Sequence, residues 1–400
     1  MENKYIKRDV EERFLKHLKQ FPVTALCGPR QTGKTTLLKH YLKKSHQFLS
    51  LDDMDKRLEA EKDPKTFMSR INGPCVIDEI QYAPNLLSYI KMAVDEDRKP
   101  GNFVLTGSQQ FLLMKGLAES LAGRVGIINL HPLHALEVDA EAKMSSGEKF
   151  ESAALRGFYP EVFLNKSIDT RLWYENYVKT YLERDIRDIY NISSLGDFRD
   201  FMKITAARTA QLYNLTAVSS SARTPATTVK RWLSILEATG IIFMLRPFHT
   251  NYGKRFTKMP KLFFYDTGLL CSLLGIRNKE QLVESAFYGN IFENYCAAEA
   301  VKILGCRGRE ADAYFMRTRK GLEMDFILED GGKYLLAEFK TGKSMDAGIL
   351  SALHRAGEEI KPMKVSKSLL INMTDDAVFR AEGTGSAGAN AFFKMMGQVE

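Results

Sequence analysis

Gly28 and Gly33 have four residues between them, Pro29, Arg30, Gln31 and Thr32, and Lys34, Thr35 and Thr36 follow directly. That spacing meets the phosphate-binding loop pattern at every position. Glycines let the backbone wrap a phosphate, and the amides opening the next helix point at it, where the helix dipole favours an anion. Lys34 is then expected to reach the β- and γ-phosphates of a nucleoside triphosphate, and the Thr35 hydroxyl to sit on Mg²⁺. FPVTAL before the loop and LLKHYLKK after it read as the strand and helix that such a loop joins. A second stretch, TGKS at residues 341–344, lacks the first glycine, because Ala337 stands five positions before Gly342. It is a decoy.

A phosphate cradle needs a metal-holding acid on a neighbouring strand. In GPCVIDEIQ, Cys75, Val76 and Ile77 suit a buried parallel strand, with Asp78 at its carboxyl end. Asp78 is expected to hold Mg²⁺ through water, and Glu79 to polarise an attacking water as general base. The expected chemistry is hydrolysis rather than binding alone. NFVLTGSQQ, residues 102–110, brings Thr106 and Ser108 to another strand end, where ligands bind in open α/β sheets, so both are candidates to sense the γ-phosphate. Arg124, in ESLAGRV, is a candidate arginine finger, in cis or on a neighbouring subunit, with a solvated salt bridge as its plainer role.

The elements that position these residues belong to an ordinary globular chain of 400 residues, 44% hydrophobic and 26% charged. One core seldom holds so long a chain, so two or three domains are expected. A formal net charge of +8 points to a polyanionic partner or simply to solubility. Cys27, Cys75, Cys271, Cys296 and Cys306 are odd in number, widely spaced and free of any CxxC pair, which argues against a disulfide framework and a zinc site. MENKYIKRDVEERFLKHLKQ lacks an apolar signal core, and no run of about 18 apolar residues occurs. A soluble, cytoplasmic protein without membrane contact is expected.

Together CGPRQTGKTT, VIDEIQ, LTGSQQ and SLAGR resemble the AAA-type ATPase domain of a large group of bacterial and archaeal ATP-binding proteins. In that group the domain is joined to a C-terminal part of poorly defined role, whose start RGFYPE (156–161) and YVKTYLERDIRDI (177–189) resemble. The resemblance spans nearly the whole chain. It implies an AAA-like module that hydrolyses ATP with Mg²⁺, and it supplies no substrate.

Between Phe198 and Thr267 the sequence reads as three short helices and a hairpin, the order of a winged helix. In TPATTVKRWLSILEATG, Thr224 is the expected N-cap, Pro225 the first helical residue and Gly240 the stop. Val229, Trp232, Leu233, Ile235 and Leu236 make the core face, leaving Thr227, Thr228, Lys230 and Arg231 outward as candidate DNA contacts. The strands IIFMLRPF and KLFFYD bracket a basic wing of Lys254, Arg255, Lys258 and Lys261, suited to phosphates. Contact with a protein, or a spacer role, is the rival reading. Arg184, Asp185, Arg187 and Asp188 alternate in sign and read as a salt-bridged exposed face.

From Phe287 the pattern is helix, three strands, helix, strand. A turn centred on Gly331 and Gly332 sets Asp325 opposite Glu338 and Glu323 opposite Lys340. Facing carboxylates are unfavourable unless something neutralises them, and a divalent metal would do so. This D…ExK arrangement, with Glu293 on the preceding helix, resembles the PD-(D/E)xK nuclease core and its αβββαβ order. The resemblance implies Mg²⁺ on Asp325 and Glu338, assisted by Glu293, with Lys340 orienting water and Arg317, Arg319 and Lys320 on the DNA backbone.

The expected fold class is α/β: a P-loop NTPase (AAA-like) domain over residues 1–150, then a helical linker and winged helix over 151–275, and an α+β nuclease-like (αβββαβ) domain over 276–400. The expected ligands are ATP and Mg²⁺. DNA is the favoured partner, against a rival in which nucleotide gates contact with a protein and the nuclease-like part is inactive. A small-metabolite kinase is disfavoured by the lack of an evident acceptor pocket and lid. Homo-oligomerisation stays open.

Overall fold

The computed structural model describes residues 5–107, 120–141, 144–182, 195–248, 259–317, 322–342, 347–360, 364–375, 377–379 and 383–399. The chain forms two compact units, Met1–Pro132 with Ala238–Gly240, and Leu133–Glu237 with Ile241–Glu400. Among the described residues no helix is long and apolar enough to cross a membrane.

In the first unit β1 (Val23–Cys27), β2 (Gln47–Ser50), β3 (Cys75–Asp78), β4 (Phe103–Gly107) and β5 (Val125–Asn129) form a parallel sheet in the order β2-β3-β4-β1-β5. Every residue of β1 and β4 is buried, which is why these strands read as apolar runs rather than alternating ones. The helices are α1 (Glu11–Gln20), α2 (Lys34–Leu42), α3 (Met54–Lys62), α4 (Pro64–Ser69) and α5 (Leu86–Glu96). Leu86, Ile90 and Val94 of α5 share one core with Val23, Ala25, Ile77 and Leu105 of the sheet. Asp53 caps α3 by accepting from the N–H groups of Asp55 and Lys56. Asp63 caps α4 with Pro64 in the first turn. Because β4 lies between β1 and β3, the carboxyl ends of all three stand side by side.

In the second unit β6 (Ile242–Pro247), β7 (Lys261–Phe264), β8 (Ala313–Arg317), β9 (Glu323–Asp330), β10 (Lys333–Phe339), β11 (Lys364–Asn372), β12 (Ala377–Phe379) and β13 (Thr384–Gly388) build one mixed sheet. Its order is β12-β13-β11-β10-β9-β8-β6-β7. Helices Leu195–Ala206, Leu215–Ser221 and Ala226–Ala238 precede the β6–β7 hairpin, the order anticipated from sequence. This hairpin is continuous with the later strands, since Arg246 and Pro247 of β6 pair in parallel with Tyr314 and Phe315 of β8. Trp232 packs against Phe198 and Phe201 at 5.5 and 5.3 Å between ring centroids, while Lys230 and Arg231 are exposed. The capping assignment at this helix is corrected. Helix Ala226–Ala238 starts one residue after Pro225, and the Thr224 hydroxyl donates back to the Ala222 carbonyl at 2.9 Å instead of capping it.

Helix Tyr288–Cys306, strands β8–β10, helix Ala347–Glu359 and β11 follow in the αβββαβ order. Beyond them β12, β13 and helix Ala389–Met396 extend the fold past what the sequence suggested. Gly331 and Gly332 have φ of +54° and +77°, so both central turn residues are left-handed, as a type I′ hairpin requires. The register is the anticipated one: Asp330 faces Lys333, Leu328 faces Leu335 and Phe326 faces Ala337.

Candidate active site

β1 ends at Cys27 and α2 starts at Lys34, so the loop between them is short and sharply bent. Gly28 sits at φ +141°, and a Cβ there would lie 2.2 Å from the Leu130 carbonyl oxygen, so glycine is required twice over. The Lys34 side chain is buried and folds back on the loop, donating to the carbonyls of Gly28 at 3.0 Å and Pro29 at 2.8 Å. Burial lowers the Lys34 ammonium below its ordinary range, and the charges of Glu79 and Asp78 pull the other way. Thr32 ties the loop from within, its hydroxyl on the Pro29 carbonyl at 3.0 Å.

Asp78 is held by two hydroxyls. Thr35 donates to one of its oxygens at 3.2 Å and Thr106 to the other at 3.1 Å. Burial first, and then the neighbouring Glu79 charge, raises the Asp78 carboxyl, while both hydroxyls oppose the shift. Thr106 therefore positions Asp78 here rather than pointing at a phosphate. Glu79 has φ +58° and ψ +44°, a left-handed conformation that a non-glycine residue adopts at a cost, and it turns the chain away from β3. The Gln81 side-chain amide donates to its carboxylate.

Sequence reasoning missed Arg8 and Glu11. Buried Arg8 donates to the Thr32 carbonyl at 2.9 Å and the His131 carbonyl at 2.8 Å, pinning the loop from below. Glu11 takes the Arg8 backbone N–H at 2.7 Å and the hydroxyls of Tyr5 and Tyr41. Nothing local marks either residue in a charged amphipathic stretch. Arg124 forms a bidentate pair with Asp95 of α5, at 2.6 and 2.9 Å, which is the plainer of its two expected roles. Ser108 lies outside the described residues. The donor set fits a magnesium–nucleotide complex: a buried lysine at the loop, and a threonine hydroxyl already touching an aspartate.

The second unit gathers the other acids. Lys261, expected on a basic wing, is buried instead, and its ammonium lies 2.8 Å from Glu293, 2.7 Å from Glu323 and 3.1 Å from Asp325. The Glu323–Lys340 pair expected across the hairpin does not form. Glu323 turns to Lys261, and Lys340, one residue past β10, pairs with Glu338 of that strand at 2.7 Å. The Mg²⁺ assignment does not fit this arrangement. Asp325 has one oxygen on Lys261 and the other on the backbone N–H of Phe339 at 3.0 Å. Lys254, Arg255, Lys258, Arg319, Lys320, Arg184, Asp185, Arg187 and Asp188 lie outside the described residues, while Arg317 approaches Glu323 at 3.8 Å.

Potential ligand atoms of His134, Glu137 and Cys306 come within 4.8 Å of one another. His134 Nδ1 accepts from the N–H groups of Leu136 and Glu137 at 3.3 and 3.4 Å, which leaves the ring proton on Nε2, 3.6 Å from Glu137. His134 and Glu137 are thus engaged in capping the turn that follows His134.

Residues 20–138 match the family described as an AAA domain, and residues 147–280 and 288–388 match two families each described as a domain of unknown function. The chain is 30% identical over 330 residues to the uncharacterized protein Rv2008c of Mycobacterium tuberculosis, covering 82% of this chain and 72% of that one. The uncharacterized protein Mb2031c of Mycobacterium bovis gives the same values. Among solved structures, the Walker-type ATPase of Pyrococcus abyssi is similar with a TM-score of 0.47 at 15% identity, over 68% of this chain and 97% of that one. From its match to the two mycobacterial proteins and its AAA domain, the chain belongs to their family, an AAA-type ATPase family with a C-terminal domain of unknown function.

Proposed function

We propose that the first unit binds ATP at residues Gly28–Thr36 and hydrolyses it. The observation that carries this reading is the junction of Thr35, Asp78 and Thr106, which joins the loop after β1 to the carboxylate ending β3 across the end of β4. Thr35 and Asp78 would hold Mg²⁺, which when bound neutralises charge on the β- and γ-phosphate oxygens. Lys34 exchanges its two loop carbonyls for phosphate oxygens. Glu79, reversed out of the strand, takes the proton of the attacking water. Arg124 is kept outside this set by its pair with Asp95. In a turnover assay Lys34→Ala loses ATP binding, whereas Glu79→Gln keeps binding and accumulates unhydrolysed ATP. Equal turnover by wild type and Glu79→Gln removes Glu79 as the base.

The chain is further proposed to act on or near DNA, through a winged-helix part over 151–275 and a nuclease-like scaffold over 276–400. Exposed Lys230 and Arg231 on helix Ala226–Ala238, the net charge of +8 and the αβββαβ order support this. ATP turnover measured with duplex, single-stranded and branched DNA separates this reading from a nucleotide-gated protein switch, for which turnover is indifferent to DNA.

A further inference from the structure

Lys261 opens β7 and is fixed there from both sides. β7 pairs with β6, Lys261 bridges to Leu212, and Leu262 exchanges backbone hydrogen bonds with Ala210 and Gln211 at 2.8 and 3.2 Å. Its side chain is 3% exposed and lies 5.5 Å from the Phe315 ring centroid. An ammonium has three donors and no acceptor, and three carboxylates from one helix and one strand surround this one.

We propose that Lys261 is the resident cation of the Glu293–Glu323–Asp325 cluster and fills the place that a divalent metal would need, so that the nuclease-like unit holds no catalytic metal at this site. A magnesium ion requires oxygens at about 2.0–2.1 Å in octahedral array. Each Asp325 oxygen already accepts a hydrogen bond, one from Lys261 and the other from the Phe339 backbone N–H, and the Lys261 ammonium takes the space between the three carboxylates that a metal ion would need. Displacing Lys261 would strand a buried ammonium, and losing one member of a buried ion cluster leaves the others uncompensated. Burial alone would lower the Lys261 ammonium, but Glu293, Asp325 and Glu323 outweigh it and hold the group well above its ordinary range. Glu338 neighbours the cluster but is not in ion contact with Lys261. Its Oε1 takes Lys340, and its buried Oε2 has no hydrogen-bond partner, which is one oxygen and not a coordination sphere. The lysine makes a closed ion cluster out of acids that read in sequence as a cutting site.

The inference does not rest on ATP hydrolysis, and its test leaves nucleotide out. Mn²⁺ bound to the full-length chain is counted by electron paramagnetic resonance and followed by thermal shift. Wild type, Asp325→Asn and Glu338→Gln should bind the same number of Mn²⁺ ions with the same shift. Lys261→Ala should gain one Mn²⁺ and a metal-dependent rise in melting temperature, and Lys261→Ala with Asp325→Asn should lose both. Loss of a bound Mn²⁺ in Asp325→Asn or Glu338→Gln relative to wild type overturns the proposal, as does a folded Lys261→Ala that gains none. Lys261→Met keeps the apolar stem if Lys261→Ala does not fold. The comparison of wild type with Glu338→Gln, which leaves the triad intact, decides alone if neither lysine variant folds.

Discussion

A valine at position 106 keeps the shape of threonine and removes one donor from Asp78, whose oxygens are shared between the hydroxyls of Thr35 and Thr106. Hydrogen bonds to a charged group contribute roughly 1.5–3 kcal/mol. On the proposed chemistry Thr106→Val should lower kcat about 10- to 100-fold with little change in nucleotide Kd, and an unchanged kcat would detach Thr106 from the site. Glu338 offers a test at the other cluster. Burial, and then the Asp325 charge, pushes its carboxyl from the usual 4.5 up to about 7, with Lys340 and Lys261 pulling back. A carboxyl that holds its proton more tightly folded than unfolded favours the native state below pH 4.5, and that contribution is lost as pH rises toward 7. Glu338→Gln mimics the protonated form at every pH. Its stability advantage over wild type should therefore grow between pH 5 and pH 8, by about 1–3 kcal/mol. Urea unfolding at both pH values checks this, and a constant difference would show that Glu338 does not titrate in that range.

The β9–β10 hairpin shows what an element owes to its turn. Gly331 and Gly332 are left-handed, and a Cβ added at either meets nothing within 4 Å, so the cost of substitution there is purely conformational. Gly332→Ala should destabilise the chain by about 1–2 kcal/mol, and Gly332→Asn by less because asparagine tolerates this backbone region. Equal stability of the two variants in urea would argue against the type I′ turn. This register was legible because two adjacent glycines centre the hairpin and the side-chain period of a strand does the rest. The phosphate loop was legible because its requirements are local. What stayed hidden depends on partners far along the chain. Lys261 sits near three other basic residues and reads as surface, yet its three acids lie 32 to 64 residues away, on a helix and a strand that only the folded chain brings to it. Arg8 reaches 24 and 123 residues for its carbonyls. Strand β13 is TGSAG, with no β-branched or aromatic run to announce it beyond one threonine.

Over the whole molecule, 57 Lys and Arg against 49 Asp and Glu leave a net charge of +8, and part of the basic charge is paired with nearby acids. Arg124, Lys261, Lys302, Arg309 and Lys340 all sit in ion pairs with acids of their own unit. A charge paired in this way releases no counterion from DNA, so a polyanion would be met by the basic residues outside such pairs. Lys230 and Arg231 are exposed on consecutive positions of helix Ala226–Ala238, outside the aromatic contact that Trp232 makes with Phe198 and Phe201. If that surface meets the phosphate backbone, affinity should fall linearly on a log–log plot against salt, with a slope of about 0.9 per phosphate contact on duplex DNA. Lys230→Ala with Arg231→Ala should then weaken binding alike for unrelated sequences and reduce the slope by about two contacts, without lowering the melting temperature, because neither side chain is buried. Lys340→Ala, which removes a charge already paired with Glu338, should leave the slope unchanged and so controls for net charge. Fluorescence anisotropy from low to moderate salt measures both. An unaltered slope in the double variant would take DNA off this helix, and a slope that falls equally in Lys340→Ala would reduce the binding to a response to overall charge.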